Sequence, residues 1–378
     1  MLVKDYKAGT YEKLNDYKAF LPSPINHDWT WDSAEINKLL EKANIELGSL
    51  KSYSELIPNI DLYIQMHIKI EANKSSRIEG TQTTIEEELM PIVELNPEKR
   101  DDVAEVHNYI KALEYGVKRI TVDEFPLSSR LIREIHAILL EGVRGEYKTP
   151  GEYRKSQNWI GGTMPSTASY VPPVFTRIPE LITDIEMFIH NEDIYVPELI
   201  KIAIIHYQFE SIHPFLDGNG RTGRILIPLL LLNSEILTKP SFYISNYFEV
   251  HRTEYYDTLN RVRMNDDLEG WIKFFLQAAI ETARDARSKF EKAVNYVENL
   301  NERAAKIPGS TENIQKILKE FYQDPAQTSA DLAGKVGITG TTANRILKAL
   351  ENENIVTEET GYSRNRVYMM RDYVNLFK

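Results

Sequence analysis

The sequence predicts a mainly α-helical protein with a small, separate C-terminal domain. Its 378 residues are too many for one average domain and indicate two or three. Apolar residues recur at helical spacing through most of the chain, whereas strand signals are scarce before residue 350. Hydrophobic residues make up 42% of the chain and charged residues 27%, a balance that excludes both wholesale disorder and a fibrous protein.

Composition excludes several classes of site. The chain has no cysteine, which rules out disulfides, a thiolate nucleophile and Cys-ligated zinc or iron–sulfur centres. The net charge of −11 predicts no general polyanion-binding surface. Residues 1–20 lack the apolar core of a signal peptide, and the longest aliphatic run, Ile225–Leu232, is far shorter than the ~20 residues that span a bilayer. We therefore expect a soluble, cytoplasmic protein without membrane association.

Three segments carry clear helical periodicity. The first apolar stripe covers Leu131–Leu140, with a serine N-cap at 128 or 129. The second covers Ile200–Tyr207, in a helix that we expect Pro214 to stop. A third, long helix runs from Trp271 to about Asn301. The exception is residues 159–174, where paired glycines and paired prolines bracket a predicted hairpin.

The C-terminal domain begins after a break at Lys306–Ser310. A helix around residues 314–321 is followed by a helix and turn over 328–338 and a third helix over 341–352. Two short strands then flank Gly361. This order of helix, helix-turn-helix and hairpin predicts a winged-helix domain. Its third helix offers Arg345 and Lys348, but acidic and basic residues balance across the domain, so the counterion-release term of DNA binding should be weak. We expect protein docking or homodimer support here rather than DNA binding.

A twelve-residue segment, HPFLDGNGRTGR from His213 to Arg224, concentrates polar and glycine residues between two predicted helices. Gly218–Gly220 form a turn at a helix N-terminus, which presents free backbone N–H groups to an anion. Arg221 and Arg224 share one helix face and can both reach phosphate oxygens. Asp217 is a candidate Mg²⁺ ligand, and His213 a candidate general base at neutral pH. Together these groups suit phosphoryl or nucleotidyl transfer.

Two simpler interpretations of this segment are disfavoured. Residues 218–223 fit the G-x-G-x-x-G pattern of dinucleotide-binding folds, but that pattern requires a preceding strand, and a helix precedes it here. A plain Gly-rich turn with solvated arginines would explain any one residue. It would not explain six chemically matched positions in one short string.

The same string resembles the signature of the Fic family, HPFxDGNGRxxR, without a departure. Members of that family transfer AMP from ATP to a hydroxyl side chain of a target protein. The resemblance implies that His213 takes the proton from that hydroxyl and that Asp217 binds Mg²⁺. It further implies that the phosphates are held by Gly218, Asn219, Gly220, Arg221, Thr222, Gly223 and Arg224.

The resemblance continues outside the signature. Residues 150–162 and 170–173 are similar to the stretch that forms the family's β-hairpin flap, beside a helical Fic core. By this resemblance Tyr170 and Val171 would align the target segment by strand addition, and Tyr256 would contact the adenosine. The alternative for residues 159–174 is an ordinary surface loop.

A second motif, SSRIEG from Ser75 to Gly80, resembles the inhibitory motif of the family. The resemblance implies that Glu79, with Ser75, pairs with Arg224 and occupies the site of the γ-phosphate. The alternative is that Glu79 lies on a solvated helix face.

These observations give one organisation and one leading function. We expect an N-terminal helical region that carries the inhibitory helix (1–110), a Fic catalytic core (111–270), a connecting helix (271–307) and the winged helix (308–378). The leading function is a protein adenylyltransferase, autoinhibited by Glu79, that uses ATP with Mg²⁺ and modifies Ser, Thr or Tyr hydroxyls of target proteins. The alternatives are a Fic enzyme that transfers UMP, phosphate or phosphocholine, one that removes AMP, and a DNA-binding regulator with a Fic sensor core.

Overall fold

The protein is mainly helical in the computed structural model, which describes residues 1–14 and 16–378. The α-helices, in chain order, are α1 (Ala34–Leu56), α2 (Ile60–Ile78), α3 (Ile85–Leu89), α4 (Pro97–Thr121), α5 (Ser129–Leu139), α6 (Ile178–His190), α7 (Glu198–Ile212), α8 (Asn219–Asn233), α9 (Ser245–Val250), α10 (Arg252–Asn265), α11 (Leu268–Ala304), α12 (Thr311–Gln323), α13 (Ser329–Val336), α14 (Gly340–Asn352) and α15 (Arg371–Asn375). The strands are β1 (Gly9–Lys13), β2 (Lys18–Pro22), β3 (Ala326–Thr328), β4 (Thr357–Glu358) and β5 (Val367–Met369).

The three helices predicted from periodicity are α5, α7 and α11. Ser128 caps α5, because its side chain accepts a hydrogen bond from the backbone N–H of Leu131. Helix α7 ends at Ile212, directly before the residue that precedes Pro214. Helix α11 begins three residues earlier than predicted and extends to Ala304.

Helices α7 and α8 form the centre of the core. Every residue from Leu199 to Ile212 is buried, and α8 is buried along nearly its whole length. Helix α11 packs across α7, where the indole N–H of Trp271 donates to the carbonyl oxygen of Ala203 at 2.8 Å. Burial of this continuous apolar surface is the main contribution to the stability of the fold. It also fixes the loop between α7 and α8 at one end of the core.

The N-terminal hairpin of β1 and β2 was not predicted. The strands pair antiparallel from Gly9–Pro22 to Lys13–Lys18, and Phe20 is buried beneath them. The hairpin lies against the core, where Asp266 accepts a hydrogen bond from the backbone N–H of Ala8 at 2.8 Å. Three of the five residues of β2 are buried, and two of them, Ala19 and Phe20, are adjacent, so the strand lacks the long period-two alternation that identifies strands in a sequence.

The C-terminal winged helix is confirmed. Helix α12 is followed by β3, by α13 and α14 and then by β4 and β5. The three strands form a sheet of order β3-β5-β4, with Gly361 in the turn between β4 and β5. This domain packs on α2: the ammonium of Lys69 lies 2.9 Å from a carboxylate oxygen of Asp324, and the rings of His67 and Phe377 are 5.4 Å apart. Among the described residues, no helix is both long and apolar enough to cross a membrane.

Candidate active site

The loop between α7 and α8 carries the HPFLDGNGRTGR segment and bends sharply at both of its ends. His213 has φ 48° and ψ 62°, the left-handed region that is costly for a residue with a β-carbon. Pro214 prevents continuation of α7. Gly218, with φ 74°, is the N-cap of α8 and takes the left-handed conformation at no steric cost. The imidazole and the start of α8 are therefore placed at the same end of the core.

Two side chains of the segment hold the loop itself. The amide of Asn219 accepts from the backbone N–H of Phe215 at 2.8 Å and donates to its carbonyl oxygen at 2.9 Å. The hydroxyl of Thr222 is buried and donates to the carbonyl oxygen of Gly218 at 2.9 Å. These side chains build the turn, and among the groups at the start of α8 it is the backbone N–H groups that remain suited to an anion.

His136 supports the loop from below. Its ring stacks on Phe215 with 3.7 Å between centroids, its Nε2 donates to the carbonyl oxygen of Asp217 at 3.0 Å, and its Nδ1 accepts from Gly151 N–H at 2.9 Å. Burial lowers the pKa of His136 to about 4, so the neutral tautomer required by both hydrogen bonds is the stable form at neutral pH.

A cavity of about 540 Å³ opens beside this loop. Six of the sequence-predicted residues line it: Glu79, Tyr170, His213, Gly220, Arg224 and Tyr256. They come from α2, the 159–174 segment, the α7–α8 loop, α8 and α10, so the fold brings together residues separated by up to 177 positions. Tyr256 is 37% exposed, and burial, followed by the charge of Glu79, raises the pKa of its hydroxyl to about 12.

The surroundings of His213 favour the neutral form of its imidazole. Burial, followed by the positive charges of Arg263 and Arg154, lowers the pKa of its imidazole to about 4. The guanidinium of Arg154 is itself bound into the loop and donates to the carbonyl oxygen of His213 at 2.9 Å. A neutral imidazole facing a cavity is able to accept a proton.

The SSRIEG motif meets Arg224 directly. The buried guanidinium of Arg224 donates to the hydroxyl of Ser75 at 2.8 Å, to the carbonyl oxygen of Ser75 at 3.0 Å and to the carboxylate of Glu79 at 2.6 Å. Burial raises the pKa of Glu79, but the adjacent Arg224 outweighs it and holds the pKa below its ordinary value. Glu79 is therefore a carboxylate, and it accepts a charge-assisted hydrogen bond.

Glu79 also lies against the start of α8. A β-carbon added to Gly220 would be 2.2 Å from an oxygen of Glu79 and 2.9 Å from Arg224. A glycine at this position lets the carboxylate approach the backbone at the helix N-terminus. Glu79 thus occupies the place that an anion would take between the N-terminus of α8 and Arg224.

Arg221 lies outside the cavity. Its buried guanidinium donates to the carboxylate of Glu105 on α4 at 2.9 Å and lies 3.5 Å from a carboxylate oxygen of Asp217. Gly223 is likewise turned inward, packed against Glu210 and Phe209. Arg221 and Gly223 therefore lie beside the cavity rather than on its wall.

Asp217 presents the single exposed carboxylate of the loop. One oxygen accepts from the backbone N–H of Gly218 at 2.6 Å, and the side chain is 45% exposed. The described residues contain no group of three or more His, Asp or Glu that could hold a metal by themselves. A lone carboxylate of this kind fits Mg²⁺, which takes one or two protein carboxylates together with substrate phosphates and water.

Tyr170 and Val171, the residues predicted to dock the target, are buried rather than exposed on the surface of the flap. The hydroxyl of Tyr170 donates to the carbonyl oxygen of Ser211 at 2.6 Å, and the carbonyl oxygen of Val171 accepts from the backbone N–H of Phe20 in β2 at 2.9 Å. Both side chains are buried and the carbonyl oxygen of Val171 already has a partner in β2, which corrects the expectation that Tyr170 and Val171 are free to receive a target. The flap itself folds back through one antiparallel bridge, Ile160 with Tyr170, and its exposed side is the arm that carries Trp159 and Ile160.

Sequence reasoning missed one acidic residue of the cavity. Glu210 is 7% exposed and lines the cavity. Burial raises the pKa of its carboxyl to about 7, with Arg224 acting in the opposite direction. Glu210 lies in the last turn of α7, three residues before His213, within a buried helical stretch that no motif marks.

Comparison with known proteins places these elements in a family. Residues 37–118 match the family model described as Fic/DOC family N-terminal, residues 126–231 match Fic/DOC family, and residues 310–357 match winged helix-turn-helix DNA-binding. The "Protein adenylyltransferase Fic" of Aedes aegypti is 30% identical over 182 residues, which cover 47% of this chain and 33% of that protein. Its counterpart in Drosophila melanogaster is 24% identical over 228 residues, which cover 57% of this chain and 43% of that protein. The matches thus span less than half the length of these curated relatives.

Solved structures agree on the fold. A Fic family protein from Desulfovibrio desulfuricans superposes with a TM-score of 0.55 at 19% identity, covering 90% of this chain and 96% of that one. A Fic protein from C. elegans superposes with a TM-score of 0.53 at 18% identity, covering 68% and 74%. The mainly α architecture predicted from the sequence is confirmed by these superpositions.

Proposed function

The chain belongs to the Fic/DOC family, and on that premise we propose that it is a protein adenylyltransferase that transfers AMP from ATP to a Ser, Thr or Tyr hydroxyl of target proteins. The observation that carries the proposal is the juxtaposition of His213, Gly220 and Arg224 around one cavity. A neutral base, the N-terminus of a helix and a buried guanidinium are the groups that transfer from a nucleoside triphosphate requires.

In the proposed reaction the hydroxyl oxygen of the target attacks the α-phosphorus of ATP. The bond between that phosphorus and the oxygen bridging to the β-phosphate breaks, and pyrophosphate leaves. His213 takes the hydroxyl proton, for which its lowered pKa keeps the imidazole free beforehand. Binding of a polyanion beside it would raise that pKa, because a nearby negative charge favours the imidazolium form.

Backbone N–H and guanidinium groups of the protein would hold ATP. The N–H groups at the start of α8 would receive phosphate oxygens, and Arg224 would take the γ-phosphate once Glu79 has left it. Asp217 would hold Mg²⁺, whose charge offsets that of the phosphates when it is bound with ATP. Thr222 and Asn219 would act indirectly by fixing the loop.

We further propose that Glu79 keeps the enzyme in a state of low activity. Its carboxylate lies where the terminal phosphate would bind, so ATP in the productive orientation and the Glu79–Arg224 pair exclude each other. The side chain of Glu79 is 35% exposed, whereas that of Arg224 is only 1% exposed. The carboxylate can therefore turn away from the guanidinium without opening the core.

The test is labelling of lysate proteins and of the chain itself with ATP. We expect Glu79→Gly to incorporate label from [α-³²P]ATP more strongly than wild type, and to incorporate none from [γ-³²P]ATP. His213→Ala in the Glu79→Gly background should abolish the signal. His27→Ala in the same background, which changes a histidine that does not line the cavity, should leave the signal unaltered. Label from the γ-position would identify phosphoryl transfer, and label only from UTP or CDP-choline would identify another group; either result would refute AMP transfer.

A further inference from the structure

The last two turns of α2 are held by a second set of contacts that does not involve Arg224. Glu249 on α9 receives two cations from α2: Lys74, whose ammonium is 3.3 Å from one carboxylate oxygen, and Arg77, whose guanidinium is 3.1 Å from the other. The Glu249 side chain is 19% exposed, so these pairs are screened less than fully solvated ones.

A third contact holds the end of the helix. The Nε of Arg252, at the start of α10, donates to the carbonyl oxygen of Ile78 at 3.1 Å. This carbonyl belongs to the last turn of α2, where backbone acceptors lack a helical partner. The next residue is Glu79, and Gly80 after it has φ 107°, so the chain leaves the helix direction directly beyond this carbonyl. The position of Glu79 therefore depends on where this last turn is held.

Charge makes Glu249 the central member of the set. Lys74, Arg77 and Arg252 bring three positive charges to the junction of α2 with α9 and α10, and Glu249 accepts from two of them. Without that carboxylate, α2 would lose both of its ion pairs to α9, and the cations on α2 and α10 would repel one another.

We infer that Glu249 is a positioning residue for inhibition, which holds the end of α2 so that Glu79 reaches Arg224. The inference rests on the proposed function, because inhibition has meaning only for an active transferase. It predicts that inhibition can be relieved without altering Glu79, Arg224 or any residue that lines the cavity. Glu249 would then set the strength of the inhibition, and Glu79 would be the group that exerts it.

The test is Glu249→Gln in the otherwise native full-length chain. We expect labelling with [α-³²P]ATP to rise roughly 3- to 10-fold, a modest factor because partly exposed ion pairs contribute little each. Amide hydrogen exchange across residues 74–80 should become faster in parallel. Glu249→Asp, which keeps the carboxylate, should stay closer to wild type. Glu254→Gln is the matched control, since Glu254 lies 3.6 Å from His251 and forms no ion pair with α2 among the described residues.

Epistasis separates this inference from the proposed function. In the Glu79→Gly background Glu249→Gln should have no further effect, because it acts through Glu79. If Glu79→Gly is active and Glu249→Gln equals wild type, the inference is wrong and the proposed function stands. An equal rise in both backgrounds would also overturn it. Should Glu249→Gln fail to fold by circular dichroism, Arg77→Gln removes one of the two ion pairs and is expected to give a smaller rise in labelling; no rise there refutes the inference.

Discussion

The two walls of the cavity are built in different ways. On one side the loop that carries His213 is closed by buried, local hydrogen bonds, such as those between Asn219 and Phe215. On the other side the end of α2 is held by ion pairs to Glu249 and by a hydrogen bond from Arg252. These residues come 174 to 175 positions later in the chain and are partly exposed to solvent. The comparison teaches that the groups expected to perform the chemistry are fixed, whereas the carboxylate expected to inhibit it sits on the adjustable wall.

The largest effect is expected from removing Arg224, the member of the Glu79–Arg224 ion pair that lies on the fixed wall. Arg224→Ala removes the same contact as Glu79→Gly, yet we expect the opposite outcome, a loss of labelling on the order of 10²–10³-fold relative to Glu79→Gly. The reason is that Arg224 also serves ATP, while Glu79 does not. Labelling with [α-³²P]ATP measures both variants, and Arg261→Ala on the exposed side of α10 is the control.

Equal gains of labelling in Arg224→Ala and Glu79→Gly would contradict this assignment. It would mean that the guanidinium serves only as the partner of Glu79. Arg224→Lys tests the donor geometry separately from the charge. Lysine keeps the positive charge but lacks the forked donors of the guanidinium, so we expect this variant to bind ATP more weakly than wild type.

A second prediction concerns the rigidity of the loop. Asn219→Ala deletes two buried hydrogen bonds to the backbone of Phe215 and leaves both backbone groups without their partner. We expect the free energy of unfolding to fall by about 1–3 kcal/mol, measured by urea denaturation. Asn344→Ala, on the exposed face of α14, should leave it nearly unchanged. A similar loss in both variants would remove the contrast between a fixed and an adjustable wall.

A third prediction concerns pH on the α2 side. Glu88 accepts hydrogen bonds from Asn73 of α2 and from the hydroxyl of Thr83, and burial raises its pKa to about 8. The folded state therefore keeps a proton that the unfolded state releases above its ordinary pKa near 4.5. Stability contributed by this group is complete at lower pH and is lost as pH rises toward 8.

The glutamine of Glu88→Gln has no ionisable group at this position. The difference in unfolding free energy, variant minus wild type, should therefore grow steadily between pH 5 and pH 8. Urea titrations at pH 5, 6.5 and 8 measure it. Parallel pH profiles for the two proteins would show that Glu88 is already ionised in the folded state.

Local pattern was sufficient for a large part of the molecule. Helices α5, α7 and α11 follow from apolar periodicity and caps, and the α7–α8 loop follows from the spacing of His213, Pro214 and the glycines. The contact of Glu79 with Arg224, 145 residues apart, was predicted only because two motifs resemble those of one family. The residues that no motif covers were missed.

Those omissions share a physical cause. Glu249 and Glu210 lie in ordinary helical sequence, and their importance comes from neighbours that only the tertiary fold supplies. The partner of the Val171 carbonyl oxygen is Phe20, which belongs to a hairpin with weak strand signals. Arg221 was assigned to phosphate from its place on the helix, and the buried Glu105 that it meets lies 116 residues earlier. Long-range pairs of this kind leave no periodicity to detect.

The left-handed backbone of His213 has a consequence for the lifetime of the protein. A residue with a β-carbon in that conformation costs on the order of 1 kcal/mol, which glycine avoids. His213→Gly should therefore melt at a higher temperature than His213→Ala, although both lack the imidazole. The conformation that presents the imidazole to the cavity therefore has a cost in stability, and that cost lies at the position where a proton is to be received.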